Sequence, residues 1–253
     1  MYVTGGNTTG AGTIFEYAHG GTSPIQALSD PGIPSGCAVD PTTGALAVAN
    51  IYDQNNPYYR FRGDVAIYPN AEGQPTMYYA RNPRIGSFFY CGYDDAGHLY
   101  LTGTDNNSGG QSLLTRLNSE SNSFQIVRLP VSLKGTSSVQ WDGKRMTVTS
   151  GTIVRTPLSV YRLRVSGNEG KVVGTTVVSS HGNNYHGQTW IQGGNFIGLS
   201  GAKGAGEVLF WRYPRGGKPN QHIPKIPARL NGIVMSVAST ATRQRSRVAG
   251  GKN

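Results

Sequence analysis

The sequence is short of the features that commonly announce a function. It has only two cysteines in 253 residues, Cys37 and Cys91, which excludes a disulfide-stapled scaffold and any cysteine-rich zinc motif. Charged residues make up 14% of the chain, and acidic ones are the scarcer kind: 13 Asp and Glu against 23 Lys and Arg, a formal net charge of +10. Such a balance favours acidic partners: an anionic glycan, nucleic acid, an anionic membrane surface or an acidic protein. No stretch approaches the roughly 20 apolar residues of a membrane-spanning helix. The first residues lack the charged segment and apolar run of a signal peptide. No 3.6-residue apolar period is found, so amphipathic helices are not expected. A G-x-S-x-G nucleophile elbow is also missing, and the glycine-rich GAKGAG (201–206) joins two strands where a phosphate loop needs a following helix.

The chain is rich instead in Gly (36), Pro (14) and Tyr (14), a composition of short strands joined by tight turns. A repeat organises them. CAVDPTTGALAVAN (37–50) recurs as CGYDDAGHLYLTGT (91–104), as VQWDGKRMTVTSG (139–151) and, degraded, as TWIQGGNFIGLSG (189–201). Each reads as strand, turn, strand. Asp40, Asp94 and Asp142 belong to these turns, where a carboxylate accepts bonds from the backbone just ahead of it and a following glycine takes positive φ. A third strand follows each hairpin (63–69, 112–118, 158–165, 206–214), and then a fourth (75–81, 124–130, 171–178, 218–224).

Four antiparallel strands at a spacing of about 50 residues are the signature of β-propeller blades. The start of the chain fits strands two to four of a further blade, at 2–6, 12–21 and 24–29, with its innermost strand missing. Residues 228–240, ARLNGIVMSVAST, read as a lone first strand. The expected fold is therefore an all-β, five-bladed propeller whose last blade joins the C-terminal first strand to N-terminal strands two to four. Six blades would need a fifth internal hairpin. Residues 1–241 form the propeller domain, and 242–253, with Arg243, Arg245, Arg247 and Lys252, form a basic tail expected to be disordered.

The pattern running from Pro34 to Asn50, followed by G-x-[IV]-x-x-Y and G-x-x-P elements at 12–24 and 63–75, resembles the NHL and SMP-30-like group of bacterial propellers. The resemblance implies a propeller, with a secreted or periplasmic setting. The group spans lactonases, a lyase, strictosidine-synthase-like proteins, RNA- or protein-binding domains and secreted repeat proteins, so it does not choose a function. Its lactonase-like members hold a divalent metal at positions that match Ser35, Ser87, Ser138, Gln188 and Asn231 here, all neutral. A hard cation wants carboxylate oxygens, so neither metal nor cofactor is expected.

Strand order places the loops. Those between strands two and three, and the links between blades, emerge on one face, opposite the Asp turns. The longest, 50–63, carries Asp53, Tyr58, Tyr59, Arg60 and Arg62. Near it fall Arg81, Arg84, Lys134, Arg155, His181, Tyr185, His186, Lys203, Lys225 and Arg229, with few carboxylates beyond Asp30, Asp53 and Asp105. Guanidinium groups recognise carboxylate, sulfate or phosphate, and tyrosines stack on sugars or bases.

The leading expectation is a non-catalytic binding module or scaffold for an anionic or sugar-like small molecule, glycan, polymer or protein. Its contacts would be Asp53, Tyr58, Tyr59, Arg60, Arg62, Arg81, Arg84, Arg155, Tyr185 and His186. The alternatives are a lyase- or lactonase-like enzyme with His181 or His186 as base, and nucleic-acid binding through the same face. Cys37 and Cys91 occupy the same slot of adjacent inner strands; a bridge and two free thiols both remain open.

Overall fold

The computed structural model describes residues 2–6, 12–18, 21, 23–54, 56–58, 62–109, 111–151, 157–179, 184–185, 188–202 and 205–226. They form five antiparallel sheets arranged as a five-bladed β-propeller. Sheet one contains β1 (Tyr2–Gly6), β2 (Gly12–Tyr17) and β3 (Pro24–Asp30). Sheet two runs β4 (Pro34–Val39), β5 (Leu46–Asp53), β6 (Arg62–Tyr68) and β7 (Thr76–Tyr79). Sheet three runs β8 (Ile85–Tyr93), β9 (Leu99–Asp105), β10 (Gln111–Asn118) and β11 (Ser123–Val127), with the short β12 (Leu133–Lys134) added to β10. Sheet four is β13 (Val139–Trp141), β14 (Met146–Ser150), β15 (Leu158–Ser166) and β16 (Glu169–Val178). Sheet five comprises β17 (Asn184–Tyr185), β18 (Trp190–Gln192), β19 (Asn195–Ala202), β20 (Ala205–Arg212) and β21 (Gln221–Ile226).

Five sheets are what the repeat implies, and sheet one has the three strands expected of it. The closing strand read at 228–240 and the tail lie outside the described residues. Two details differ from the sequence reading. The outer strand of sheet five is Gln221–Ile226 rather than 218–224. Lys134 and Tyr185, read as loop residues, sit in the two-residue strands β12 and β17. The reason is common to both: β10 and β19 run past their regular partners, and the nearby links satisfy the exposed backbone groups of Gln111–Ser112 and Ser200–Gly201.

Local chemistry builds each hairpin. Asp40 accepts from the Thr42 N–H at 2.8 Å, Asp94 from His98 N–H at 2.8 Å and Asp142 from Arg145 N–H at 2.8 Å. Glycines at φ +75° (Gly44), +80° (Gly97) and +94° (Gly143) complete the turns.

In β5 residues 46–49 form an unbroken apolar run rather than an alternation because both of its faces are covered. In β5, Leu46 and Val48 join Ile14 and Leu28 of sheet one in a single cluster. Ala47 and Ala49 from the same strand join Phe88 and Leu101 of sheet three. Comparable clusters lie between sheets three and four, around Leu114 and Val148, and between four and five, around Val160 and Trp211. At about 25 cal/mol per Å² of apolar surface, these inter-sheet layers are the main source of stability.

Inner strands pack on one another around the axis: β4 on β8, β8 on β13 and β13 on β18. Their approach is close enough to require glycine. A methyl at Gly92 would lie 2.7 Å from the Val139 carbonyl oxygen and 3.1 Å from Gln140 Cα, both backbone atoms of the next sheet. Gly92→Ala is therefore expected to cost about 1–3 kcal/mol, read as a lower urea midpoint with unchanged m. A midpoint equal to that of the parent protein would show that the sheets can separate freely.

Candidate functional site

The sheet-two loop and the link from sheet two to sheet three emerge side by side, as strand order requires. β5 ends at Asp53 and β6 begins at Arg62, which faces Asp53 across the ladder. Past Asp53 the chain turns: Asn56 N–H donates to the Asp53 carbonyl at 3.3 Å, and Tyr58 N–H donates to Asn56 Oδ1 at 3.0 Å. This turn projects the Tyr58 ring to 47% exposure. The ring meets Tyr79, from the end of β7, edge to face at 6.2 Å between centroids, and the Arg81 guanidinium lies over it, with Cζ 4.8 Å from the ring centre. Arg62 Nη1 reaches the Asn82 carbonyl at 3.5 Å. Two loops distant in sequence thus build one patch of two tyrosines and two arginines. A cation held over an aromatic face contributes about 0.5–1 kcal/mol at an exposed position, enough to preorganise the guanidinium without occupying its N–H donors.

Arg84 stands next in the link but is engaged differently. Its Nε donates to Asp105 Oδ1 at 3.0 Å and its Nη2 to Asp105 Oδ2 at 2.6 Å, a two-pronged pair at the end of β9. The Arg84 hydrogen bond holds the Asp105 carboxyl below the ordinary carboxylate range. Asp105 is 6% exposed and Arg84 45%, so the pair is partly screened.

The other expected contacts are scattered or undescribed. Tyr185 lies in β17 of sheet five, two places around the ring from sheet two. Tyr59, Arg60, Arg155, His181 and His186 lie outside the described residues. Asp53, read as a surface carboxylate beside the arginines, is 1% exposed, and Asp30 is 0% exposed. Both sit below the patch with Asn50 and Asp64, each 0% exposed. Sequence reasoning missed Asn50 and Asp64. The available signal was position: Asn50 ends the repeated strand-turn-strand unit, and Asp64 follows the glycine that opens β6.

The centre of the ring is occupied by neutral polar groups. Gln188 of sheet five donates from Nε2 to the Cys37 carbonyl of sheet two at 3.2 Å, reaching across the axis between sheets that are not neighbours. Thr189 N–H donates to Ser138 Oγ at 3.2 Å, and Ser138 N–H donates to Thr149 Oγ1 at 2.7 Å. Among the described residues, no group of three His, Cys, Asp or Glu is placed to hold a metal ion. Cys37 and Cys91 are free and buried, and burial pushes the Cys37 thiol up to about 12, so it is not a thiolate at neutral pH.

No family model matches the chain, and no curated protein does. Solved structures do. The Dos1 propeller is similar at 14% identity and a TM-score of 0.48, covering 88% of this chain and 55% of its own. Hydrazine synthase of Kuenenia stuttgartiensis is similar at 14% identity and 0.47, covering 83% of this chain and 53% of its own. The β-propeller domain of the trilobed protease from Pyrococcus furiosus is similar at 10% and 0.43, covering 88% and 78%. The chain spans about half the length of the first two. These likenesses concern the fold alone.

The Arg84 pair gives a prediction with a pH signature. A carboxyl held below its ordinary value stabilises the folded state above the unfolded pKa near 3.9 and loses that contribution as pH falls through the folded value. Arg84→Ala is expected to lower stability by roughly 1 kcal/mol at pH 7 and by almost nothing near pH 2, measured as urea midpoints across that range. Equal losses at both ends would remove the ion pair as the cause.

Proposed function

We propose that the protein is a non-catalytic binding module that takes an acidic polysaccharide on the Tyr58–Arg81 patch. The observation that carries the reading is the pair itself: an exposed tyrosine ring with a guanidinium resting on it, braced by Tyr79 and flanked by Arg62. A sugar ring stacks through its C–H face on an exposed aromatic ring, while a carboxylate or sulfate takes paired bonds from a guanidinium. The net charge of +10 supplies long-range attraction for a polyanion. Tyr59, Arg60, Arg155, Tyr185 and His186 are further contacts of the proposal, on strand order alone, and Arg84 contributes through whatever donors Asp105 leaves. Membership of the NHL and SMP-30-like group is consistent with this role and remains part of the proposal. No helix among the described residues is long and apolar enough to cross a membrane.

The test is titration calorimetry with a sulfated or uronate polysaccharide and, for contrast, a neutral glucan and single-stranded RNA. Arg81→Ala and Tyr58→Ala are each expected to weaken polysaccharide binding about tenfold while the protein stays folded, and affinity should fall steeply with salt. Binding that ignores both substitutions rejects the patch. Tighter binding to RNA than to the polysaccharide would replace the ligand class.

A further inference from the structure

The seam between sheets one and two holds buried acids that the binding reading leaves unused. Asp30 ends β3, Asn50 and Asp53 lie at the end of β5, and Asp64 and Tyr68 lie on β6. All are between 0 and 1% exposed. Hydrogen bonds tie them together: Asn50 Nδ2 donates to Asp64 Oδ1 at 2.8 Å, and Gly32 N–H donates to Asp30 Oδ1 at 2.8 Å.

Counting protons shows that the cluster is short of them. The Tyr68 hydroxyl lies 2.8 Å from the Ser29 carbonyl and 3.0 Å from Asp30 Oδ2. It owns one proton and cannot donate to both. Asp64 Oδ2 is buried and accepts no bond from any donor among the described residues, and the same holds for Asn50 Oδ1. A fully buried carboxylate oxygen without a donor is costly, and a proton on it removes the charge. A protonated Asp30 would donate to the Tyr68 oxygen while Tyr68 donates to Ser29. A proton on Asp64 Oδ2 would turn the other orphaned acceptor into a neutral hydroxyl.

We propose that Asp30 and Asp64 hold protons at neutral pH and act as a latch, keeping the end of β3 and the start of β6 against the end of β5 and releasing them as the pH rises. The described titratable and charged groups that face the cluster are Asp30 from β3, Asp53 from β5, Arg62, Asp64 and Tyr68 from β6, and Tyr79 from β7, whose hydroxyl is itself pushed up by burial and then by the Asp64 and Asp53 charges. Burial drives the Asp64 carboxyl well above its ordinary range, and the Asp53 and Asp30 charges add to that against the Asn50 hydrogen bond. Burial likewise raises Asp30, against the bonds from Gly32 and Tyr68. A raised carboxyl contributes its stability fully below the unfolded value and loses it as pH climbs through the folded one. The latch therefore weakens toward alkaline pH, opposite in sign to the Arg84–Asp105 pair. Its existence does not depend on the proposed ligand; only its effect on the overlying patch rests on that reading.

The experiment combines carboxyl carbon-13 NMR of the Asp-labelled protein with amide hydrogen exchange, expressed as protection factors at pH 5 to 9. At least one aspartate is expected to titrate above pH 6, and protection at 50–53 and 62–64 to fall about tenfold per pH unit beyond that point. Asp64→Asn keeps an acceptor for Asn50 and removes the titrating carboxyl, so it should hold protection within about twofold across the range. Asp30→Asn provides the same test should Asp64→Asn not fold. The latch is overturned if every aspartate titrates below pH 6, or if the folded variants keep the parent slope. Polysaccharide affinity, measured on the same samples, reports on the ligand separately: its absence beside a titrating aspartate would reject the binding reading and leave the latch.

Discussion

Each sheet of the ring has to bury both of its faces against a neighbour, and the rest of the molecule follows from that demand. A strand covered on one side alternates apolar and polar residues; a strand covered on both must be apolar throughout. β5 meets the condition with Leu46 and Val48 turned to sheet one and Ala47 and Ala49 to sheet three. The small alanines and the close inner strands belong together, since blades converge toward the axis and leave least room there. Gly36 and Gly92 mark two such approaches between inner strands, where an added methyl would stand 2.6 Å from the Tyr90 ring and 2.7 Å from the Val139 carbonyl oxygen.

The same demand explains how a polar seam comes to lie beneath the candidate site. Side chains two apart on a strand share a face, so Asn50 follows Leu46 and Val48 toward sheet one, and Asp64 follows the face of Ala66 and Tyr68. The alternation runs one step past the apolar core before the chain reaches solvent, and the groups carried there are buried as firmly as the core itself. Tyr79, opposite Asp64 in the ladder, then connects this layer to the exposed ring of Tyr58. A surface patch and a buried acid cluster are two depths of one corner of sheet two.

Much of this was legible in the sequence, and the reasons are particular. The turns at Asp40, Asp94 and Asp142 were readable because a side chain accepting from the next few N–H groups needs no distant partner. The three strands of sheet one were readable because they match positions two to four of the repeat. Tyr58 and Arg81 were assigned to one face by strand order, though not to a stacked pair. The depth of Asp30 and Asp53 was misjudged: both occur in polar stretches that read as solvated loop, and sheets packed from either side enclose them. β12 and β17 were missed because two residues carry no period, and their pairing depends on a neighbouring strand that overruns.

Two aspartates show where the division falls. Asp40 takes its hydrogen bonds from within a few residues, Thr42 and Thr43, and the sequence alone determined its role, as it determined the number of sheets and the order of strands within them. Those features rest on turn chemistry and on two-residue periodicity, both of which act locally. Asp64 has the same side chain near the start of β6, yet its surroundings come from β3 and β5 as well as from its own strand. Only the tertiary structure decided that it is buried beside other acids. Desolvation and charge repulsion depend on which groups are brought together from elsewhere in the chain, and no local pattern records that.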